Sequence, residues 1–277
     1  MPELPEVETV CRALKPILEG HSFVRIQTNR ADLRYPLPLN LENQLAGHLI
    51  VEVKRRAKYL LLDFAHGLTL IWHLGMSGRV IFSNLEGPTR KQGPHDHVIF
   101  TTCRQQITYC DPRRFGFLRI VPTDLLSTIN PFSALGPEPV DNPNFNNQMF
   151  FSALKNRNIS LKSALLDQKL IAGIGNIYAS EALWQAKLSP LRITNTLSLE
   201  EALLLLKEVQ DVLRRAIQAG GSTLRDHKQP NGEIGYFQHS FKAYNRENKP
   251  CGHGCCTLLT KIMQNGRATY YCKTCQQ

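Results

Sequence analysis

The chain has 277 residues, 42% hydrophobic and 20% charged, a composition that excludes collagen-like, coiled-coil and disordered classes and suits one large or two ordinary folded domains. Thirty-three Lys and Arg against 23 Asp and Glu leave a formal charge of +10, so the natural partner is a polyanion. The cations are spread over both halves with no basic tail, and no apolar run approaches the ~20 residues of a membrane span, so no membrane role is expected. The opening MPELPEVETV is acidic and carries two prolines, unlike a secretory signal. A cytoplasmic protein is expected, its eight cysteines being thiols or metal ligands.

From Pro5 to Leu18, Val7, Val10, Cys11, Leu14 and Leu18 recur at helical spacing, and Gly20 ends the pattern. Strand-like runs follow at Phe23–Thr28, Leu49–Val53, Tyr59–Asp63, Thr69–His73, His97–Thr101, Gln106–Cys110 and Phe117–Val121, separated by turn residues. They predict a mostly antiparallel β domain over 1–132. A Pro-, Asn- and Gly-rich stretch over 133–148 reads as a linker. Helical periodicity then marks Leu161–Leu166, Ile177–Trp184 and Leu199–Gln218 within a domain over 149–240, and residues 241–277 hold the cysteine-rich end. The fold class is therefore α+β.

Five cysteines fall in the last 27 residues, as CGHGCC and CKTC, the pattern of a zinc ribbon. Cys272 and Cys275 form a regular knuckle. In the first knuckle Cys251 pairs best with Cys255, while His253 and Cys256 remain alternatives. One structural zinc is expected. Between the knuckles, Asn265-Gly266 is a hairpin signal that places Arg267 just after the turn, where it could meet a phosphate.

AGIGNIYASEALW at 172–184 leads a glycine-rich turn into a helix whose first N–H groups suit an anion, with Asn176 as N-cap or phosphate ligand. In the β domain, KRRAKY (54–59), HLGMSG (73–78) and DPRRFG (111–116) interrupt the strands. Met76 and Phe115 are either buried under their loops or exposed wedges able to enter a base stack, and Arg113 beside them could read a base edge. Removal of Met1 would leave Pro2 with a free secondary amine of pKa near 8, a usable nucleophile, with Glu3 and Glu6 one turn apart beside it. The competing reading is a helix start favouring Pro and acidic residues.

Taken together, PELPEVET, KRRAKYLLL, HLGMSG, HDHV, DPRRFG, LGPEP, AGIGNIYASEALW, GGSTL with GYF, and the terminal cysteines resemble the formamidopyrimidine-DNA glycosylase family in order from Pro2 to Cys275. The opening PELPE resembles this branch rather than endonuclease VIII relatives. The resemblance implies an N-terminal β-sandwich with flanking helices, a C-terminal helix-two-turn-helix domain with a zinc finger, and a monomer acting on damaged double-stranded DNA of the nucleoid. It implies Pro2 as Schiff-base nucleophile, Glu3 as general acid/base, Lys58 in β-elimination and Arg267 in δ-elimination. DNA contacts are implied for His95, Arg113, Asn158 and Asn176, and gap filling beside the everted base for Met76, Arg113 and Phe115. Asn158 stands where members often carry a lysine, with Lys155 and Arg157 close by, and the first cysteine pair has one extra residue between its members. The loop over 220–237 is expected to cap the everted base. Rival readings are an endonuclease VIII-like enzyme for oxidised pyrimidines and a non-catalytic DNA-binding module, the latter needing none of Pro2, Glu3 and Lys58.

Overall fold

In the computed structural model, which describes residues 1–86, 90–143, 145–222 and 236–277, the first apolar stripe forms α1 (Leu4–Leu18), burying Val7, Val10, Cys11, Leu14 and Leu18. The chain leaves it through Gly20 at φ 79°, a left-handed conformation that glycine reaches without a Cβ clash. Next come β1 (Arg25–Thr28), α2 (Leu41–Leu45), β2 (Ile50–Arg56), β3 (Tyr59–Phe64), β4 (Leu68–His73), β5 (Arg79–Asn84), β6 (Asp96–Thr101), β7 (Gln105–Cys110) and β8 (Phe117–Pro122).

These strands make two antiparallel four-stranded sheets, ordered β2-β3-β4-β8 and β1-β6-β7-β5. Leu60, Leu62, Leu70 and Trp72 of the first sheet meet Val80, Val98, Phe100, Ile107 and Tyr109 of the second in one core, which the buried stripe of α1 joins. Trp72 anchors the sandwich, its ring 5.3 Å from Phe100 and 5.1 Å from Tyr109. Strands β3 and β4 are buried along nearly their whole length. Their outer face is covered because Leu126, Ile129 and Phe132, in the 3-10 turns after β8, pack on Leu61, Ile71 and Val121.

Strand β5 is not marked by the sequence pattern. It follows the HLGMSG turn directly and lies at a sheet edge, where only Val80 is fully buried, so it lacks the alternation that marks a half-buried strand.

The second half carries α3 (Asn147–Lys155), α4 (Leu161–Leu166), α5 (Asn176–Gln185), α6 (Leu199–Gln218), β9 (Thr260–Gln264) and β10 (Arg267–Tyr271). The last three predicted helices coincide with α4, α5 and α6. Helix α5 is buried over eight consecutive residues from Ile177 to Trp184, whereas α6 keeps one apolar stripe and a charged face. The chain divides into two compact units, Met1–Ser133 with Ala219–Tyr236, and Ala134–Gln218 with Phe237–Gln277. No helix among the described residues is long and apolar enough to cross a membrane.

Candidate active site and exposed loops

Pro2 is buried at the head of α1, and Glu3 is the N-cap of a helix with Pro5 in its first turn. Glu3 and Glu6 are each only 2% exposed. Such burial is tolerable for a carboxylate where backbone donors and the helix dipole meet it. Glu6 Oε2 accepts the Glu3 N–H at 2.8 Å, half of a capping box with the Glu3 side chain. Glu6 Oε1 accepts both the N–H and the hydroxyl of Ser222, at 2.8 and 2.9 Å. Gly221 makes this approach possible: it adopts φ +77°, and a Cβ there would lie 3.2 Å from Glu6 Oε1. In the sequence Gly221 stands out only as part of the turn that opens the expected capping loop, and nothing there assigns Ser222 to Glu6. Most of the expected capping loop, residues 223–235, lies outside the described residues.

Lys58 sits in the hairpin between β2 and β3, where Arg56 pairs with Tyr59 and leaves Ala57-Lys58 as a two-residue turn. Lys58 is largely buried. On the adjacent strand, His73 pairs with Tyr59 in register, stacks on Phe117 at 5.3 Å and accepts the Gly75 N–H through Nδ1 at 3.0 Å. Burial, reinforced by the charges of Lys58 and Arg34, lowers the His73 pKa to about 4. A neutral imidazole therefore stands beside the Lys58 turn at neutral pH. In the sequence HLGMSG stands out for Met76, and nothing local marks His73.

The HLGMSG and DPRRFG loops are held by one carboxylate. Asp111, fully buried, accepts the Ser77 hydroxyl at 2.5 Å through Oδ1, and the Gly116 N–H at 2.8 Å through Oδ2. The Arg113 N–H donates to Ser77 Oγ at 3.0 Å, and the Asp111 carbonyl is bonded to the His97 ring at 2.8 Å. The loops approach so closely that a Cβ on Gly75 would fall 2.3 Å from the Gly116 nitrogen. Pinned from below, they present Met76 at 36% and Phe115 at 45% exposure, which decides against burial under the loops. The Arg113 guanidinium lies over the Phe115 ring at 5.0 Å. His95 is exposed at the end of the same network, its carbonyl accepting the Asp111 N–H.

In the second unit Gly175, not Asn176, is the N-cap of α5; Asn176 is the first helical residue. Its side-chain amide donates to the Ala268 carbonyl at 2.9 Å, fastening the helix start to the β9–β10 hairpin. Lys162 Nζ reaches the same carbonyl at 2.8 Å. Asn265 and Gly266 both take positive φ, the two-residue turn that Asn-Gly predicts, and leave Arg267 exposed directly after it. Asn158 is exposed. Its cationic neighbours are engaged locally, Lys155 with the Asn195 carbonyl and Arg157 with the Ala153 carbonyl and Asp167.

The Sγ atoms of Cys251, Cys255, Cys272 and Cys275 all lie within 4.8 Å of one another. A tetrahedral ion with metal–sulfur bonds of about 2.3 Å spaces its sulfurs by about 3.8 Å, and the Cys255–Cys272 separation is 3.6 Å, so the donor set fits a zinc ion. His253 is turned elsewhere, stacked on Trp184 at 3.9 Å and hydrogen-bonded to the Trp184 carbonyl at 3.0 Å. Cys256 is exposed outside the cluster.

This arrangement has close counterparts. Residues 1–118 match the profile of the formamidopyrimidine-DNA glycosylase N-terminal domain, and residues 135–228 that of the formamidopyrimidine-DNA glycosylase H2TH domain. The formamidopyrimidine-DNA glycosylases of Roseobacter denitrificans and Azorhizobium caulinodans are 46% and 47% identical, each covered over 100% of both chains. Among solved structures, a Lactococcus lactis Fpg mutant with THF-containing DNA superposes at a TM-score of 0.90, with 34% identity and 100% coverage of both chains. The wild-type Lactococcus lactis protein bound to oxidised-pyrimidine-containing DNA superposes at 0.89 with 33% identity over 100% of both chains. The sandwich, the helical unit and the four-cysteine cluster thus belong to a DNA-repair glycosylase, and the chain is a member of the formamidopyrimidine-DNA glycosylase family.

Proposed function

We propose that this chain excises oxidised purines, 8-oxoguanine and formamidopyrimidines, from duplex DNA and cleaves the resulting abasic strand by successive β- and δ-elimination. The observation that carries the reading is the head of α1, where a buried proline precedes two carboxylates withdrawn from solvent. A binding module has no use for that arrangement. Once Met1 is removed, the unprotonated Pro2 amine attacks the sugar C1′ while Glu3 protonates the opening ring oxygen. The attached amine gives up its N–H proton, its lone pair expels the base as the glycosidic bond breaks, and the base takes up a proton in exchange, leaving a C1′ iminium. The iminium acidifies the C2′ proton, whose loss expels the 3′ phosphate; a second elimination expels the 5′ phosphate. Lys58 serves the first elimination and Arg267 the second. Glu6, with its oxygens bonded to the Glu3 N–H and to Ser222, holds the head of α1 in place.

An enzyme that works on a base must first remove it from the stack. Met76, Arg113 and Phe115 are the side chains proposed to fill the gap, and His95, Asn158 and Asn176 to contact the strands. A zinc held by Cys251, Cys255, Cys272 and Cys275 supplies folding energy to the hairpin that carries Arg267 and takes no part in the chemistry. Thiolate ligands of this kind persist in the reducing cytoplasm, the compartment proposed for the protein. Because Lactococcus lactis Fpg has been captured with DNA containing an oxidised pyrimidine, oxidised pyrimidines are included as a second, weaker substrate class.

The test is incubation with a duplex carrying 8-oxoguanine opposite cytosine, with and without borohydride. The expected result is free 8-oxoguanine and a one-nucleotide gap flanked by phosphates, replaced under borohydride by a covalent protein–DNA adduct. Tight binding of the duplex with neither product would support the non-catalytic reading.

A further inference from the structure

The Lys58 turn contains a strained residue that the proposed chemistry does not use. Ala57 takes φ 53°, a left-handed conformation that costs an L-residue about 1–2 kcal/mol and that glycine would adopt freely. Strain of this kind persists only where the surroundings over-determine it. Here the restraint is visible. The Ala57 carbonyl accepts Nη1 of Arg55 at 3.2 Å, and Nε of the same guanidinium donates to Glu8 Oε2 at 2.8 Å. The Arg55 side chain is 7% exposed and that of Glu8 16%. The other Glu8 oxygen takes Nε of Arg12 at 2.7 Å. Burial pushes the Glu8 carboxyl up, but hydrogen bonds and charges from Arg55 and Arg12 outweigh it and hold it below the usual carboxylate range. Glu8 lies on α1, the helix that Glu3 caps.

We infer that Arg55 is a positioning residue for the reaction: its planar fork locks Ala57 in its left-handed conformation against Glu8, and so fixes the Lys58 ammonium relative to the head of α1. A phosphate-contacting role is ruled out by its burial. A plain ion pair with Glu8 would explain the salt bridge but not the bond to the Ala57 carbonyl, nor the strain held one residue before Lys58. The inference rests on the lyase reading proposed above.

The experiment measures single-turnover cleavage of a duplex with a pre-formed abasic site, alongside DNA affinity and thermal midpoint, for the wild type, Arg55→Met, Arg55→Lys and the double variant Arg55→Met/Ala57→Gly. Misplacement of a catalytic group predicts that Arg55→Met cleaves about 10- to 100-fold more slowly while DNA affinity is retained. Arg55→Lys keeps the charge opposite Glu8 but lacks the fork, and is expected to remain folded and similarly slow. Adding Ala57→Gly relieves the strain and should recover much of the lost rate. Wild-type rates in Arg55→Met, or full rescue by Arg55→Lys, would overturn the positioning role, as would a double variant no faster than Arg55→Met. A wild-type protein that binds but never cleaves the abasic strand would instead overturn the lyase reading.

Discussion

Ser77 donates its hydroxyl to Asp111 Oδ1 at 2.5 Å and so ties the turn bearing Met76 to the turn bearing Arg113 and Phe115. The exposed apolar side chains are the visible part of this device; the buried carboxylate is what gives them a fixed direction. Replacing Asp111 with Ala leaves the Ser77 O–H and the Gly116 N–H without their acceptor, each costing about 1–3 kcal/mol when buried. The expected outcome is a lower urea midpoint together with weakened binding to lesion-containing duplex. Ser77→Ala, which removes one partner and leaves Gly116 satisfied, should lose less on both measures.

His73 makes a signed prediction about pH. Its pKa is lowered from the ordinary 6.5 to about 4, so between those values the unfolded chain binds a proton that the folded protein refuses. Above the upper value neither state is protonated there and the residue contributes nothing. As pH falls through the window, this site subtracts stability with a slope of at most about 1.4 kcal/mol per pH unit. Thermal midpoints recorded from pH 7 to 4.5 should therefore fall less steeply for His73→Gln than for the wild type. An unchanged slope would show that another group governs acid stability.

The cysteine cluster predicts one zinc per chain, with Cys256→Ser retaining the metal and Cys255→Ser losing it. Because metal binding and folding of such a ribbon are linked, a chelator should abolish DNA binding while the cooperative unfolding of the β-sandwich persists. Metal content measured by atomic spectroscopy on the two variants decides the ligand set.

Gly221→Ala tests the close approach to Glu6. The substitution forces an L-residue into φ +77° and sets a Cβ 3.2 Å from the Glu6 carboxylate. A cost of about 1–2 kcal/mol is expected from the backbone alone. Strand cleavage should slow with it, since Ser222 would be drawn off Glu6. Cleavage at the wild-type rate would show that the Ser222 cap is dispensable.

Much of the site was legible because its residues are turn residues standing out from strands. HLGMSG and DPRRFG broke the alternation, CKTC matched a metal knuckle, and Asn-Gly fixed the turn before Arg267. What escaped was long-range pairing. Asp111 reads as the start of DPRRFG, and nothing local says that its carboxylate will reach Ser77. Arg55 looks like one cation among several in KRRAKY until β2 places it against Glu8. Gly221 and Ser222 gain meaning only when the chain after α6 returns to the head of α1. Of the two roles that the sequence offers Asn176, N-cap or phosphate ligand, the cap goes to the glycine before it, and the amide donates to the Ala268 carbonyl of the hairpin.

The central claim is that Pro2 is the nucleophile, and the most direct measurement is peptide mapping of the borohydride-trapped adduct with an 8-oxoguanine duplex, paired with the Pro2→Gly variant. The account predicts DNA attached to the proline of a chain that has lost Met1, and a Pro2→Gly protein that binds the duplex but excises the base poorly. An adduct mapped to Lys58, with Pro2→Gly fully active, would contradict it.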